Sequence, residues 1–140
     1  MRSLAACVFV ILLGLTLGAR AEPDWNRFRG PNGSGISSAT SVPTEFGPQK
    51  NLVWRLALPG GHSSPILFKD RIFLTAFRSD TLVTIAIDRL KGSILWERAA
   101  PQVKTKVVDK RNNPASPSPA VEENGVYVCF PDYGLIAYDG

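Results

Sequence analysis

Residues 86–96 read Ala86-Ile87-Asp88-Arg89-Leu90-Lys91-Gly92-Ser93-Ile94-Leu95-Trp96. An Asp side chain bonds the amides of a turn that it opens, and a glycine adopts the left-handed conformation that closes it. Asp88 and Gly92 therefore bracket a tight connection between two short apolar runs. Runs joined in this way are antiparallel neighbours in a β-hairpin. Ala86 is small where another layer must approach, and Trp96 offers a broad apolar face to meet such a layer.

Outward from this hairpin the chain repeats itself. Ser64-Pro65-Ile66-Leu67 followed by Asp70-Arg71-Ile72-Phe73-Leu74 matches Ser118-Pro119-Ala120-Val121 followed by Asn124-Gly125-Val126-Tyr127-Val128, at a constant offset of 54. Ile85-Ala86-Ile87-Asp88 then matches Ile136-Ala137-Tyr138-Asp139 at an offset of 51, with the three-residue difference inside the intervening hairpin. A repeat of this period holding about four short strands suits one blade of a β-propeller, whereas a β-sandwich has no reason to repeat its sequence so.

The full set of short apolar runs bounded by Gly, Pro, Asn and Asp predicts strands at 52–58, 64–68, 71–77, 82–88 and 93–98, then at 118–122, 125–130 and 135–139. Lys69-Asp70, Asn124-Gly125 and Arg89-Leu90-Lys91-Gly92 carry hairpin chemistry. The expected fold is all-β, with antiparallel four-stranded blades and about one and a half to two blades in an incomplete ring. Residues 99–117, which include Lys104, Lys106, Lys110 and Arg111 and then Asn112-Asn113-Pro114-Ala115-Ser116-Pro117, read as a solvated loop between blades.

Composition agrees with a turn-rich chain. All 11 prolines and all but two of the 12 glycines lie after residue 21, which leaves no room for long helices. Residues 1–21 form a leader, with Arg2 as its basic region, an apolar stretch from Leu4 to Leu17, and Ala19-Arg20-Ala21 as a small-x-small cleavage site. About 14 apolar residues give roughly 21 Å of helix against a hydrocarbon core of about 30 Å, so the expectation is cleavage before Glu22 and no stable membrane span. Removing Arg2 and Arg20 from the 16 basic residues leaves 14 against 12 acids, too weak a field for nucleic acid. The exported chain carries a single cysteine, Cys129, set between Val128 and Phe130, which reads as a buried core thiol.

Residues 22–50 read as a covering segment that packs Trp25 and Phe28 onto the body at 51–140. Gly30-Pro31-Asn32-Gly33 within it is a tight-turn sequence, with proline presetting one dihedral and Asn-Gly supplying positive φ. It is not a phosphate loop, because no strand precedes it, no Lys-Ser/Thr closes it and no helical pattern follows.

The spacing Ala-x-Asp-x-x-x-Gly-x-x-x-Trp at residues 86–96 resembles the tryptophan-docking repeat of pyrroloquinoline-quinone-type β-propellers, and Ala137-Tyr138-Asp139-Gly140 begins a second copy. The opening Trp25-Asn26-Arg27-Phe28-Arg29-Gly30-Pro31-Asn32-Gly33 is similar to that of secreted bacterial propellers of this superfamily, as are Val42-Pro43-Thr44-Glu45, Asn51-Leu52-Val53-Trp54, Gly61-His62-Ser63-Ser64-Pro65 and Asn113-Pro114-Ala115-Ser116-Pro117-Ser118-Pro119. The resemblance implies an N-terminal piece of a longer ring, in which Ala86, Asp88, Gly92, Trp96, Ala137 and Asp139 are structural repeat residues. It also implies export to the periplasm or beyond, and a protein or polymer partner in the cell envelope.

The same resemblance admits a quinone-dependent alcohol or sugar dehydrogenase, in which quinone and calcium sit over the propeller axis. Calcium takes about six to eight oxygen ligands, and neither a cluster of Asp, Glu and Asn nor an adjacent-cysteine pair is visible in this chain. The lone His62 cannot build a zinc site, and no Gly-x-Ser-x-Gly elbow surrounds Ser63 or Ser64. The expectation is therefore a scaffold without catalytic, cofactor or metal residues, with His62, Lys110 and Arg111 as surface candidates.

Overall fold

The computed structural model describes residues 24–101, 109 and 111–139. Its seven strands are β1 (Ile66–Phe68), β2 (Arg71–Arg78), β3 (Thr81–Asp88), β4 (Ile94–Ala99), β5 (Ala120–Glu122), β6 (Gly125–Phe130) and β7 (Gly134–Tyr138). They form two antiparallel sheets, ordered β1-β2-β3-β4 and β5-β6-β7, with no helix among the described residues. Each strand follows an apolar run of the sequence. β1 and β5 begin one residue after Pro65 and Pro119, which lack the N–H that a ladder needs.

The two sheets share a register. Ile66 faces Phe73 and Leu67 faces Ile72, as Ala120 faces Tyr127 and Val121 faces Val126. Residues at matching places also touch across the sheets: the Ser64 amide donates to Ser118 Oγ at 2.8 Å and Lys69 Nζ meets Glu123 Oε2 at 2.6 Å, each pair 54 positions apart.

Period-two alternation gives the first sheet two buried faces. Phe73, Leu82 and Ala86 point to one side, where they pack with Ile66 against Val121, Val126, Val128 and Phe130 of the second sheet. Leu74, Ala76, Val83, Ile85 and Ile87 point to the other side, where Trp54 and Leu56 cover them. Phe73 and Phe130 are fully buried, each contributing about 1.5–3 kcal/mol of burial free energy. The first sheet is thus the middle of three layers.

Several local expectations need correction. Residues 52–58 form no strand, because their backbone finds no ladder partner among the described residues. The strand expected at 125–130 forms with those bounds, Gly125 pairing with Glu122, so Glu123-Asn124 is the β5–β6 loop and Gly125 of the Asn-Gly pair already belongs to the ladder. Cys129 is exposed, because β6 buries Val126, Val128 and Phe130 and so must point Cys129 outward. Trp25 is half-buried, but Phe28 is 61% exposed, inside a turn over residues 27–30 that the Gly30 amide closes on Arg27 O at 2.9 Å. The Gly30–Gly33 turn forms with its 3.0 Å Gly33 N to Gly30 O bond, although Asn32 keeps negative φ.

The start of the described chain acts as a strap. Trp25 exchanges two backbone hydrogen bonds with Leu67 of β1, at 2.8 and 2.9 Å, and Asn26 O accepts the Val121 amide of β5 at 2.8 Å. Asp24 Oδ1 accepts the Lys69 amide at 2.7 Å. Three consecutive residues therefore bond the edges of both sheets.

Candidate functional site

The β3–β4 hairpin is built by Asp88. Its Oδ1 accepts the amides of Leu90 at 2.9 Å and Lys91 at 2.8 Å, while its backbone bonds Ser93 O and the Gly92 amide. Gly92 closes the turn at φ 66° and is buried. Across the turn Arg89 N donates to Asp70 O at 2.8 Å, which ties this hairpin to the β1–β2 loop.

Trp54 seats on this hairpin. Its Nε1 donates to Arg89 O at 2.9 Å, and its ring lies so close to Gly92 that a Cβ there would sit 2.3 Å from Cδ2. Only glycine meets both demands, left-handed φ and contact with an indole. Residue type alone marks Trp54 as a core aromatic; its partner is found only once residues 52–58 are laid against β3.

Trp96 lies opposite Ala86 in the β3–β4 ladder, and Ala86 is fully buried. Its ring reaches Phe73 of its own sheet at 6.0 Å and Tyr138 of the second sheet at 5.6 Å, with the Arg98 guanidinium 5.8 Å over it. Thr84 Oγ1 and the Tyr138 hydroxyl meet at 3.4 Å beneath this contact. An open cleft of about 570 Å³ lies alongside, lined by Arg71, Leu95, Trp96, Arg98, Ala137, Tyr138 and Asp139. Ala137 and Asp139 are exposed on its rim. Asp139 thus differs in setting from Asp88, and residue 140 lies outside the described residues.

The remaining candidates sit elsewhere. His62 is exposed, and its backbone amide donates to Ala115 O at 3.2 Å. Arg111 is exposed and bound to Asp109 through Nε at 2.8 Å, Nη2 at 3.2 Å and its own amide at 3.0 Å. That pairing holds the Asp109 carboxyl below the usual carboxylate range and raises Arg111. Lys110 lies outside the described residues, as do Lys104 and Lys106. Among the described residues no group of three or more His, Cys, Asp or Glu side chains comes together.

The sequence shows nothing of one polar knot. Ser63 Oγ accepts the Thr75 amide at 2.9 Å and donates to Thr75 O at 3.1 Å. The buried Thr75 hydroxyl is shared between Ala115 O at 3.1 Å and Pro117 O at 3.0 Å. Gly61 lets this strip lie against β2, since a Cβ there would be 2.6 Å from Thr75 O. The described residues that follow β4 and precede β5 are therefore held to the sheets, with Ala100 and Ala115 buried.

Compared with protein-family models, with curated proteins and with solved structures, the chain matches none.

Proposed function

We propose that this chain is part of an exported, non-catalytic β-propeller scaffold whose loop face binds a protein or polymer partner in the cell envelope. The observation that carries the reading is Trp54 seated on the Asp88–Gly92 hairpin of the next layer, with Nε1 on Arg89 O. An indole that packs and hydrogen-bonds at once is a layer-to-layer fastener rather than a catalytic group. The shared register of the two sheets and their face-to-face stacking support successive blades of a ring.

On this reading Asp88, Gly92, Ala86 and Trp96 are devices of assembly, with Ala137 and Asp139 their counterparts. His62 and Arg111 decorate loops, where insertions of repeat proteins meet their partners. The chain's modest positive charge excludes nucleic acid from the proposal.

The test is quinone reconstitution. The exported protein is mixed with pyrroloquinoline quinone and calcium, and binding is followed by fluorescence beside dye-linked alcohol oxidation. The scaffold reading expects a folded protein without quinone binding. Micromolar binding with turnover replaces it with a quinone-dependent dehydrogenase.

A further inference from the structure

Two Asn-Gly pairs stand in different settings, Asn32-Gly33 in the opening turn and Asn124-Gly125 in the β5–β6 hairpin. In such a pair the glycine nitrogen can reach the carbonyl carbon of the preceding side chain, because glycine has no Cβ to crowd the approach. How the backbone is held decides which pair does so.

Asn32 is folded toward the residues that follow it. Its Oδ1 accepts the Ser34 amide at 3.0 Å and the Ser34 hydroxyl at 2.6 Å. Both bonds place donors on the oxygen that gains negative charge when a nucleophile adds to Cγ. Arg27 Nη2 donates to Pro31 O and Arg29 Nη2 to Ser34 O at 3.0 Å, so two guanidinium groups flank the turn and favour loss of a proton within it. Gly33 is exposed, and a Cβ placed on it would meet nothing within 4 Å. Its N–H points to Gly30 O at 3.0 Å, in the peptide plane, which leaves the faces of that plane to Cγ.

Asn124 is held otherwise. Gly125 is buried and stands in the ladder opposite Glu122, so its nitrogen reaches Asn124 only when the hairpin opens.

We propose that Asn32 is a self-modifying site, which converts to aspartate and isoaspartate through a succinimide. Hydroxide takes the Gly33 amide proton, the nitrogen bonds to Asn32 Cγ, and the Cγ–Nδ2 bond breaks as water returns a proton to the departing ammonia. A second water opens the ring. Addition at Cγ leaves aspartate, and addition at the Asn32 main-chain carbonyl leaves isoaspartate, whose main chain runs through Cβ and Cγ. Either product adds a carboxylate to a turn that already carries Arg27 and Arg29. The isoaspartate form also lengthens the chain between Gly30, packed against Trp25, and Gly35, whose amide bonds Arg29 O at 2.8 Å.

The experiment holds the full chain at mildly alkaline pH, folded and in parallel unfolded in urea. Tryptic peptides are followed by mass spectrometry, with fragmentation that separates isoaspartate from aspartate. In the folded chain Asn32 should convert at least about tenfold faster than Asn124, because the ladder must open before Gly125 can attack. In urea the two rates should draw together. Ser34→Ala removes one donor from Oδ1 on an exposed turn, so far-UV circular dichroism should stay unchanged, conversion at Asn32 should slow several-fold and Asn124 should keep its rate. Equal rates in the folded chain, a difference that persists in urea, or a Ser34→Ala variant that converts like the parent would each overturn the proposal.

Discussion

Trp54 presses on Gly92 at a distance that no side chain could share: a Cβ on Gly92 would lie 2.3 Å from the indole. Gly92→Ala should therefore destabilise the fold by about 3 kcal/mol, from left-handed strain and displacement of the ring together. Urea denaturation measures the loss, and a change under about 1 kcal/mol contradicts the contact.

Asp88 holds two turn amides with one oxygen. Asp88→Ala should cost about 1–2 kcal/mol, and Asp88→Asn, which keeps an acceptor, should recover most of that. The pair of melts separates loss of the acceptor from loss of charge.

Trp96 bridges the two sheets through Phe73 and Tyr138. Its truncation to alanine should remove about 3 kcal/mol and loosen the second sheet in particular. Hydrogen exchange should then accelerate at Val126 and Val128 more than at Leu74 and Ile85.

Thr75→Val is nearly isosteric but removes the hydroxyl shared by Ala115 O and Pro117 O. The expected loss is about 1–3 kcal/mol, because two carbonyls at a buried site lose their donor. A melt that matches the parent would show that water replaces the hydroxyl there.

The Asp109–Arg111 pair fixes a pH dependence of known sign. Arg111 lowers the Asp109 carboxyl, so whatever the pair contributes is present above the ordinary carboxylate range and lost as pH falls through the depressed value. Both groups are exposed, so global stability should hardly register it. NMR titration of Asp109 should show a midpoint below the usual range, and Arg111→Ala should restore it.

What could be read in advance was what is local. The Asp88–Gly92 hairpin carries its own chemistry, and strand positions in 64–98 and 118–139 follow from short apolar runs between breakers. The Ser79-Asp80 turn has positive φ at both residues, at 46° and 61°, yet Ser-Asp is a weak turn signal and the hairpin went unmarked. Residues 52–58 alternate like a strand, but strandhood needs a partner that no local pattern supplies. Cys129 sits in an unbroken apolar run, Val126 to Phe130, where residue type hides which alternate positions face outward. The fastener at the candidate site divides in the same way. Gly92 is visible as a turn glycine, while Trp54 as its partner depends on 37 intervening residues folding back.

The strap at Asp24–Asn26 also sets an order of events. These residues leave the ribosome before everything they bond, and Asn26 must wait for Val121, nearly the whole described chain later. Closing so long a loop is a late and slow step, so residues made early are among the last to be placed. Until then the inner edges of β1 and β5 stand open, and the nascent chain passes its most vulnerable interval just before this early segment comes home.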